Sequence, residues 1–344
     1  MTLVTPLELD ERYSRQILFP GIGKLGQEHL AKSRIAIVGC GATGSALASL
    51  LSRSGVGRLR IIDRDYVEAS NLQRQVLFDE TDAAESLPKA IAAARRISSF
   101  NSSIAVESKV ADVTPENVAQ LLCGIDLILD GTDNFETRYL LNDFAVSQEM
   151  PWIYTAAVGS YGVTLNVLPR KTACLACLFP NPPKGVLETC DTAGVLNSAV
   201  NLVASMAASE ALKLLVGQVD HLRRTLFSFD VWKNEQSQIS ADRPREDCLV
   251  CVKREFVHLH GEGRPRITMC GRNSVQIHEH HRQIDFLDIS LRLAAHGRVR
   301  HNEFVLKFWH LAYEITLFPD GRAIIRGTTD PAVARSLYAR FLGS

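Results

Sequence analysis

Residues 34–63 read RIAIVGCGATGSALASLLSRSGVGRLRIID. The apolar run Ile35–Val38 predicts a buried strand. Gly39, Gly41 and Gly44 then make a turn that opens a helix of small residues, and a second apolar run, Leu59–Ile62, stops at Asp63. Strand, glycine turn, helix and strand in this order spell a βαβ unit. The glycines permit a tight turn and close backbone approach, while free N–H groups at the helix N-terminus suit an anion. Asp63 falls nineteen residues after Gly44, where a carboxylate can accept hydrogen bonds from ribose hydroxyls. The stretch predicts a nucleotide-binding α/β fold without naming the nucleotide.

The segment that follows, DRDYVEASNLQRQVLF (63–78), narrows the choice. A dinucleotide's pyrophosphate is already served by the glycine turn. A triphosphate tail needs more cations. Arg74 and Lys89 lie downstream of the ribose acid, Arg15 lies upstream, and Asn71, Gln73 and Gln75 surround Arg74 with amides. Each cation alone reads as an ordinary surface charge, but three of them around one βαβ unit argue for ATP. Asp133, in DGTDN after an apolar run, is expected at the carboxyl end of a strand, where open α/β sheets bind ligands. A carboxylate there can hold Mg2+ across phosphate oxygens or cap the following helix, and Asp130 competes for either role.

The chain has 344 residues, enough for two domains or one large domain with an appendage. It is 46% hydrophobic and 22% charged, as ordinary soluble globular proteins are. Lys+Arg and Asp+Glu balance at 38 each, so charge gives no reason to expect nucleic acid or an anionic membrane as partner. The start, MTLVTPLELDER, lacks a basic region followed by an apolar one, and no apolar run is long enough to span a bilayer. A cytoplasmic location is expected. Eight cysteines then point to metal or chemistry before disulfides.

Outside the central unit, residues 7–31 read as polar helix interrupted by a glycine-rich turn at PGIGKLG. Helices are predicted over PKAIAAARRISSFN, ETRYLLNDFAVSQEM and VLNSAVNLVASMAASEALKLLVG, and strands over SIAVESKV, IDLILDGTDN and PWIYTAAVGSYGVTLNVL. CLFPNPPKGVLETCD is Pro-rich and reads as a loop. Beyond SADRPREDC the pattern changes. A strand at SVQI, a helix at FLDISLRLAAHG, strands at EFVLKFWH, YEITLFP and RAIIRGT, and a helix at DPAVARSLYARFLG make a separate α+β module. Asp320-Gly321 between two apolar runs signals a hairpin. The expected division is 1–253 and 254–344.

Cys174-x-x-Cys177 and Cys248-x-x-Cys251 suit tetrahedral Zn2+ with four sulfur ligands and no open position, a structural site. Cys190, in ETCDTAG, lies where small neighbours and a helix start near Thr192 would lower its pKa. Cys40, Cys123 and Cys270 read as buried or incidental, and HEHH at 278–281 as solvated surface.

Seven ordered motifs, RYSRQI, GCGATGSALASLLSRSGVGRLRIIDRD, SNLQRQ, LILDGTDNFETRYLLND, CLACLFP, TCDTAGVL and EALKLLVG, together resemble the MoeB/ThiF group of E1-like adenylyltransferases over about residues 10–251. The C-terminal module is similar to the tail of longer ThiF-type members. The resemblance implies a Rossmann-like E1 adenylation fold with a mixed sheet and structural zinc. It implies ATP contacts at Gly39, Gly41, Ala42, Gly44, Asp63, Asp65, Ser70, Asn71, Gln73, Arg74 and Lys89, with Asp133 as the metal-associated acid and Asn134 beside it. Arg15 matches an arginine that reaches the neighbouring subunit's ATP in such dimers. Relatives place a cysteine at the position of Cys190 that can form a thioester or acyl-disulfide, and in others it is dispensable. Two departures stand out: Gly41-Ala42-Thr43-Gly44 replaces the usual Gly-Gly-Leu-Gly, and ESLPK lacks the usual Gly before Lys89.

The implied activity is adenylation of the C-terminal Gly-Gly carboxylate of a small β-grasp sulfur carrier of the ThiS or MoaD type, for thiamine or molybdopterin synthesis. The implied partners are that carrier, a second copy of the chain, and a cysteine desulfurase or other sulfur donor. Two alternatives stay open. One is E1-like activation of a peptide or ubiquitin-like modifier through a Cys190 thioester. The other is an NAD-dependent oxidoreductase, which leaves Arg74, Lys89 and Asp133 without work.

Overall fold

The quoted stretch folds as expected. In the computed structural model, which describes residues 11–181, 193–261, 267–269, 273–277 and 284–343, helices α1 (Ser14–Ile17) and α2 (Gly23–Lys32) precede β1 (Arg34–Val38). Then come α3 (Ala42–Arg53) and β2 (Arg58–Asp63). The turn is tight because Gly44 has no side chain: a Cβ there would stand 1.8 Å from the Gly39 carbonyl oxygen. Gly39 itself adopts φ +85°, a left-handed conformation that favours glycine.

Helix α4 (Lys89–Phe100) and β3 (Ala105–Val110) follow, then β4 (Leu127–Asp130), α5 (Phe135–Ser147), β5 (Trp152–Val158), β6 (Tyr161–Val167) and α6 (Asn197–Leu215). Strands β7 (Thr225–Asp230) and β8 (Glu235–Ser240) complete an eight-stranded sheet in the order β3-β2-β1-β4-β5-β6-β7-β8. The pairings from β3 through β5 are parallel, and β5 to β8 pair antiparallel, so the sheet is mixed. The chain leaves β1 in one direction through β2 and β3 and returns to its other side with β4. That reversal opens a crevice at the carboxyl ends of β1 and β4. The small side chains of α6 let it pack on α3, β5 and β6.

Two details differ from expectation. The PGIGKLG stretch is helical from Gly23 onward, with Gly26 packed closely against Ile22 and Val216. Close approach, not turning, is the work of that glycine. Strands β7 and β8 had no counterpart in the sequence reading; β7 is buried through its centre, whereas all six residues of β8 are exposed and show no alternation.

By its contacts the chain separates into Met1–Glu262 and Gly263–Ser344. Residues 254–261, expected in the C-terminal module, instead dock on the first unit. Arg254 Nη1 donates to the Val146 carbonyl at 3.0 Å, His258 N donates to Asp143 Oδ2 at 3.0 Å, and Phe256 and Leu259 pack on its core. The second unit holds β9 (Ile267–Met269), β10 (Ser274–Ile277), β11 (Arg298–His301), β12 (Leu306–His310), β13 (Tyr313–Leu317) and β14 (Ala323–Arg326). They form an antiparallel sheet in the order β11-β12-β13-β14-β10-β9. Helices α7 (Phe286–Leu293) and α8 (Pro331–Leu342) share its core with Val275, Phe308, Ile315 and Ile325. The Asp320-Gly321 turn joins β13 to β14 as predicted, whereas the polar edge strand β11 was not foreseen. No helix among the described residues is long and apolar enough to cross a membrane.

Candidate functional site

The loops after β1 and β4 meet at the crevice. Gly131 N donates to the Val38 carbonyl at 2.8 Å, and a Cβ on Gly39 would lie 2.6 Å from the Gly131 oxygen. Asp63, at the end of β2, turns back into the glycine turn. Its Oδ2 accepts from Cys40 N at 2.5 Å and its Oδ1 from Asp65 N at 2.7 Å. Lys89 opens α4 and is only 8% exposed. Its Nζ lies 3.4 Å from Asp65 Oδ2. Burial works against the ammonium, but Asp65, Asp63 and Asp133 outweigh it and hold the Lys89 pKa above its ordinary value. The lysine is therefore charged, and three carboxylates converge on it. Gly41 faces open space: a Cβ there would meet only Gln75 Nε2, at 3.9 Å. The first N–H groups of α3, Ala42 included, point out of the helix at this spot.

The Asn-Leu-Gln-Arg-Gln run lies alongside. Asn71 is buried and its Oδ1 accepts from Glu68 N at 3.0 Å, closing a short 3-10 turn over Ala69–Asn71. Arg74 Nη1 donates to the Ser70 carbonyl at 2.9 Å, and Gln73 is exposed. Gln75, which lies beside Gly41, stands outside the contact set that the sequence implied. It is 3% exposed, and its Oε1 has no hydrogen-bond partner among the described residues. Its place directly after Arg74 in an amide-rich run was the available signal.

Asp130, Asp133 and Asn134 differ in their partners. Asn134 caps α5, with its Oδ1 accepting from Thr137 N at 2.8 Å. Asp130 is fully buried and pairs with Arg138 at 3.3 Å, while its Oδ1 accepts from Thr132 N and Thr132 Oγ1. Asp133 does neither, and its charge acts on Lys89 and Arg138. Arg138 was missed as a site-supporting residue. Its Nη2 donates to the Thr132 carbonyl at 2.6 Å and so fixes the loop that carries Asp133.

Arg15 lies toward the other end of α3 from the glycine turn of its own chain. It is exposed, on α1, and its neighbour Gln16 donates to the Ser54 carbonyl at 2.9 Å, just past the far end of α3. A helix of that length separates the two ends by about 18 Å. Cys190 lies outside the described residues, as do Cys270 and 278–281. Cys40 is buried inside the glycine turn, and burial pushes its thiol pKa up, while Cys123 is exposed.

Cys174, Cys177, Cys248 and Cys251 come together, with all four sulfurs within 4.8 Å of one another. Cys174 Sγ lies 3.8 Å from Cys177 Sγ and 3.8 Å from Cys248 Sγ, and Cys251 Sγ lies 3.3 Å from Cys174 Sγ and 3.5 Å from Cys248 Sγ. Tetrahedral Zn–S bonds of about 2.3 Å require sulfurs about 3.8 Å apart. Cys177 Sγ and Cys251 Sγ stand closer, at 3.1 Å, and with a small outward shift of that pair the cluster can hold zinc.

Residues 13–250 match the ThiF family. A Bacillus subtilis protein, "Sulfur carrier protein ThiS adenylyltransferase", is 44% identical over 336 residues, covering 96% of this chain and 99% of that one. "Sulfur carrier protein adenylyltransferase" of Thermus thermophilus is 37% identical over 265 residues, covering 74% of this chain and 96% of that one. Among solved structures, E. coli MccB with ATP superposes with a TM-score of 0.61 at 23% identity, over 70% of this chain and 74% of that one. That likeness bears on the fold alone. With the family's residues spanning the glycine turn, the crevice and three of the four clustered cysteines, the chain belongs to the ThiF family.

Proposed function

We propose that this protein is an ATP-dependent adenylyltransferase acting on the C-terminal Gly-Gly carboxylate of a small β-grasp sulfur carrier of the ThiS or MoaD type. The observation that carries the reading is Lys89, charged among Asp65, Asp63 and Asp133 beside the open face of Gly41, where the strand order reverses. The names of its relatives from B. subtilis and T. thermophilus support the carrier class.

The carrier's terminal carboxylate has an ordinary pKa of about 3.5, so it is ionised at neutral pH and needs no general base. One of its oxygens bonds to the α-phosphorus of ATP. The bond from that phosphorus to the bridging oxygen breaks, and its electron pair leaves with pyrophosphate. No proton moves, and the product is an acyl-adenylate. The chain supplies alignment and charge: Lys89 and Arg74 for phosphate oxygens, Asp63 for the ribose, and Gly41 for close backbone approach. Mg2+ would neutralise and orient the phosphates, and Asp133 suits it because this ion binds through one or two carboxylates plus substrate oxygens. Zn2+ held by Cys174, Cys177, Cys248 and Cys251 would have no open position and would serve a structural role. Cys190 stands outside this step, since adenylation is complete before any thiol is required.

A homodimer belongs to the proposal. Arg15 sits a helix length from its own crevice, beyond the reach of its side chain, and a neighbouring subunit's crevice is the site it could serve.

The test is exchange of labelled pyrophosphate into ATP. Label is expected to enter ATP only when a carrier ending in Gly-Gly is present. Running ThiS-type and MoaD-type carriers side by side separates the thiamine route from the molybdopterin route. Failure of every such carrier to support exchange overturns the reading.

A further inference from the structure

Helix α5 begins at the nucleotide loop and ends beside the cysteine cluster. Asn142, in its middle, is completely buried. Its Nδ2 donates to Cys174 Sγ at 3.7 Å, and its Oδ1 accepts from Leu175 N at 2.9 Å. One turn earlier on the same helix, Arg138 holds the Thr132 carbonyl and pairs with Asp130. One residue on, Asp143 accepts from His258 N, just past the second cysteine pair. We propose that Asn142 is a positioning residue that stabilises the zinc thiolates and, through α5, ties zinc occupancy to the placement of the loop bearing Asp133. This rests on the zinc and ATP assignments proposed above.

The physical argument starts with charge. Four thiolates around Zn2+ carry a surplus of two negative charges. In a buried place that surplus needs N–H donors. The Asn142 amide is one, and Arg245 N, which donates to Cys177 Sγ at 3.4 Å, is another. Asn142 meets both needs of its position at once, donating a hydrogen bond to the Cys174 sulfur and accepting one from the backbone N–H of Leu175. Ser, Leu or Ala could not do both at that reach. A regular helix then carries the constraint onward. Asn142 and Arg138 are four residues apart, about 6 Å along the axis. The helix cannot shift at the cluster without shifting Arg138, and with it the Thr132 carbonyl.

Asn142→Asp separates the two roles. The carboxylate keeps an acceptor for Leu175 N but replaces the donor facing Cys174 with an anion. In zinc-loaded, full-length protein challenged with a chromogenic chelator, Asn142→Asp is expected to release zinc roughly 10–100-fold faster than the unaltered chain. Asn142→Ala is expected to do so too. Tyr139→Phe should leave release unchanged, because the Tyr139 hydroxyl donates to the Phe179 carbonyl and not to a thiolate. Zinc release from Asn142→Asp within twofold of the unaltered chain overturns the thiolate role. If Asn142→Asp does not fold, cobalt-loaded Asn142→Ala provides the second reading, and an unshifted thiolate-to-cobalt charge-transfer band overturns the role in the same way. For the link along α5, a non-hydrolysable ATP analogue should bind several-fold more weakly after zinc is stripped and recover on reloading. Equal affinity in both forms overturns the link. None of these measurements uses a carrier protein, so a wrong carrier assignment leaves them intact. A chain that binds no ATP analogue in any form sinks the proposed activity and the link, and leaves the thiolate role to the release rates.

Discussion

The carboxylate of Asp63 accepts the backbone N–H of Cys40 at 2.5 Å, so the residue that ends β2 holds the turn that follows β1. A second bond, from Asp65 N at 2.7 Å, fixes the other oxygen. Asp63 is therefore both a ligand candidate and a strut.

The two roles predict a compound phenotype. Asp63→Asn keeps one acceptor and loses the charge, so the variant should lose about 1.5–3 kcal/mol of stability, as for hydrogen bonds to charged groups. Its KM for ATP should rise as well. A lowered unfolding midpoint with an unchanged KM for ATP would remove Asp63 from the nucleotide and leave it the structural part.

Gly41 and Gly44 should behave oppositely. A methyl on Gly41 meets nothing closer than Gln75 Nε2, so Gly41→Ala is expected to keep its urea midpoint and bind ATP more weakly. A methyl on Gly44 would stand 1.8 Å from the Gly39 carbonyl, which is backbone and cannot swing aside. Gly44→Ala should therefore lose about 1–3 kcal/mol or more, or fail to accumulate as folded protein. Equal stability for the two variants contradicts the packing described here.

Arg15 and Arg74 can be tested by mixing. Each alanine variant alone should show little exchange activity. Random pairing of equal amounts makes about half the dimers hybrid, each with one complete site, so about a quarter of the original activity returns. If Arg15 acted within its own subunit, no complete site would form and mixing would restore nothing.

Glu210 predicts a pH dependence. It is buried on α6, and burial alone would raise its pKa. Lys213 Nζ at 2.6 Å, Arg223 N at 2.8 Å and Asn166 Nδ2 at 2.5 Å outweigh burial and lower it. A lowered carboxyl pKa contributes stability above the ordinary glutamate value of about 4.3, and that stability is lost as pH falls through the native value. Glu210→Gln should be less stable than the unaltered chain at pH 7, with the gap closing below about pH 4. Urea unfolding at both pH values measures it. A gap that is the same at both leaves the carboxylate without this role.

What the sequence made legible was local. The glycine turn, Asp63 at a strand end and the two Cys-x-x-Cys pairs each lie within a few residues, so spacing alone exposed them. Contacts between distant segments stayed hidden. Arg138 reads as one more helix charge until β4 delivers Asp130 beneath it, and Asn142 reads as a helix amide until Cys174 arrives from 32 residues away. Residues 254–261 looked like the start of a new module because nothing in them announces Asp143 and Val146 as partners. Asp133 and Asn134 are both good helix caps, so only the observed register could assign the cap to Asn134. The strand β8 lacked any apolar face to betray it.

Cys40 sits inside the turn that would hold the phosphates, wholly shielded and kept as the neutral thiol. Alkylating reagents can reach it only while that turn is open. Its labelling rate is thus a built-in gauge of how often the turn breathes, readable by mass in an unmodified cell extract, and anything that settles in the crevice should slow it.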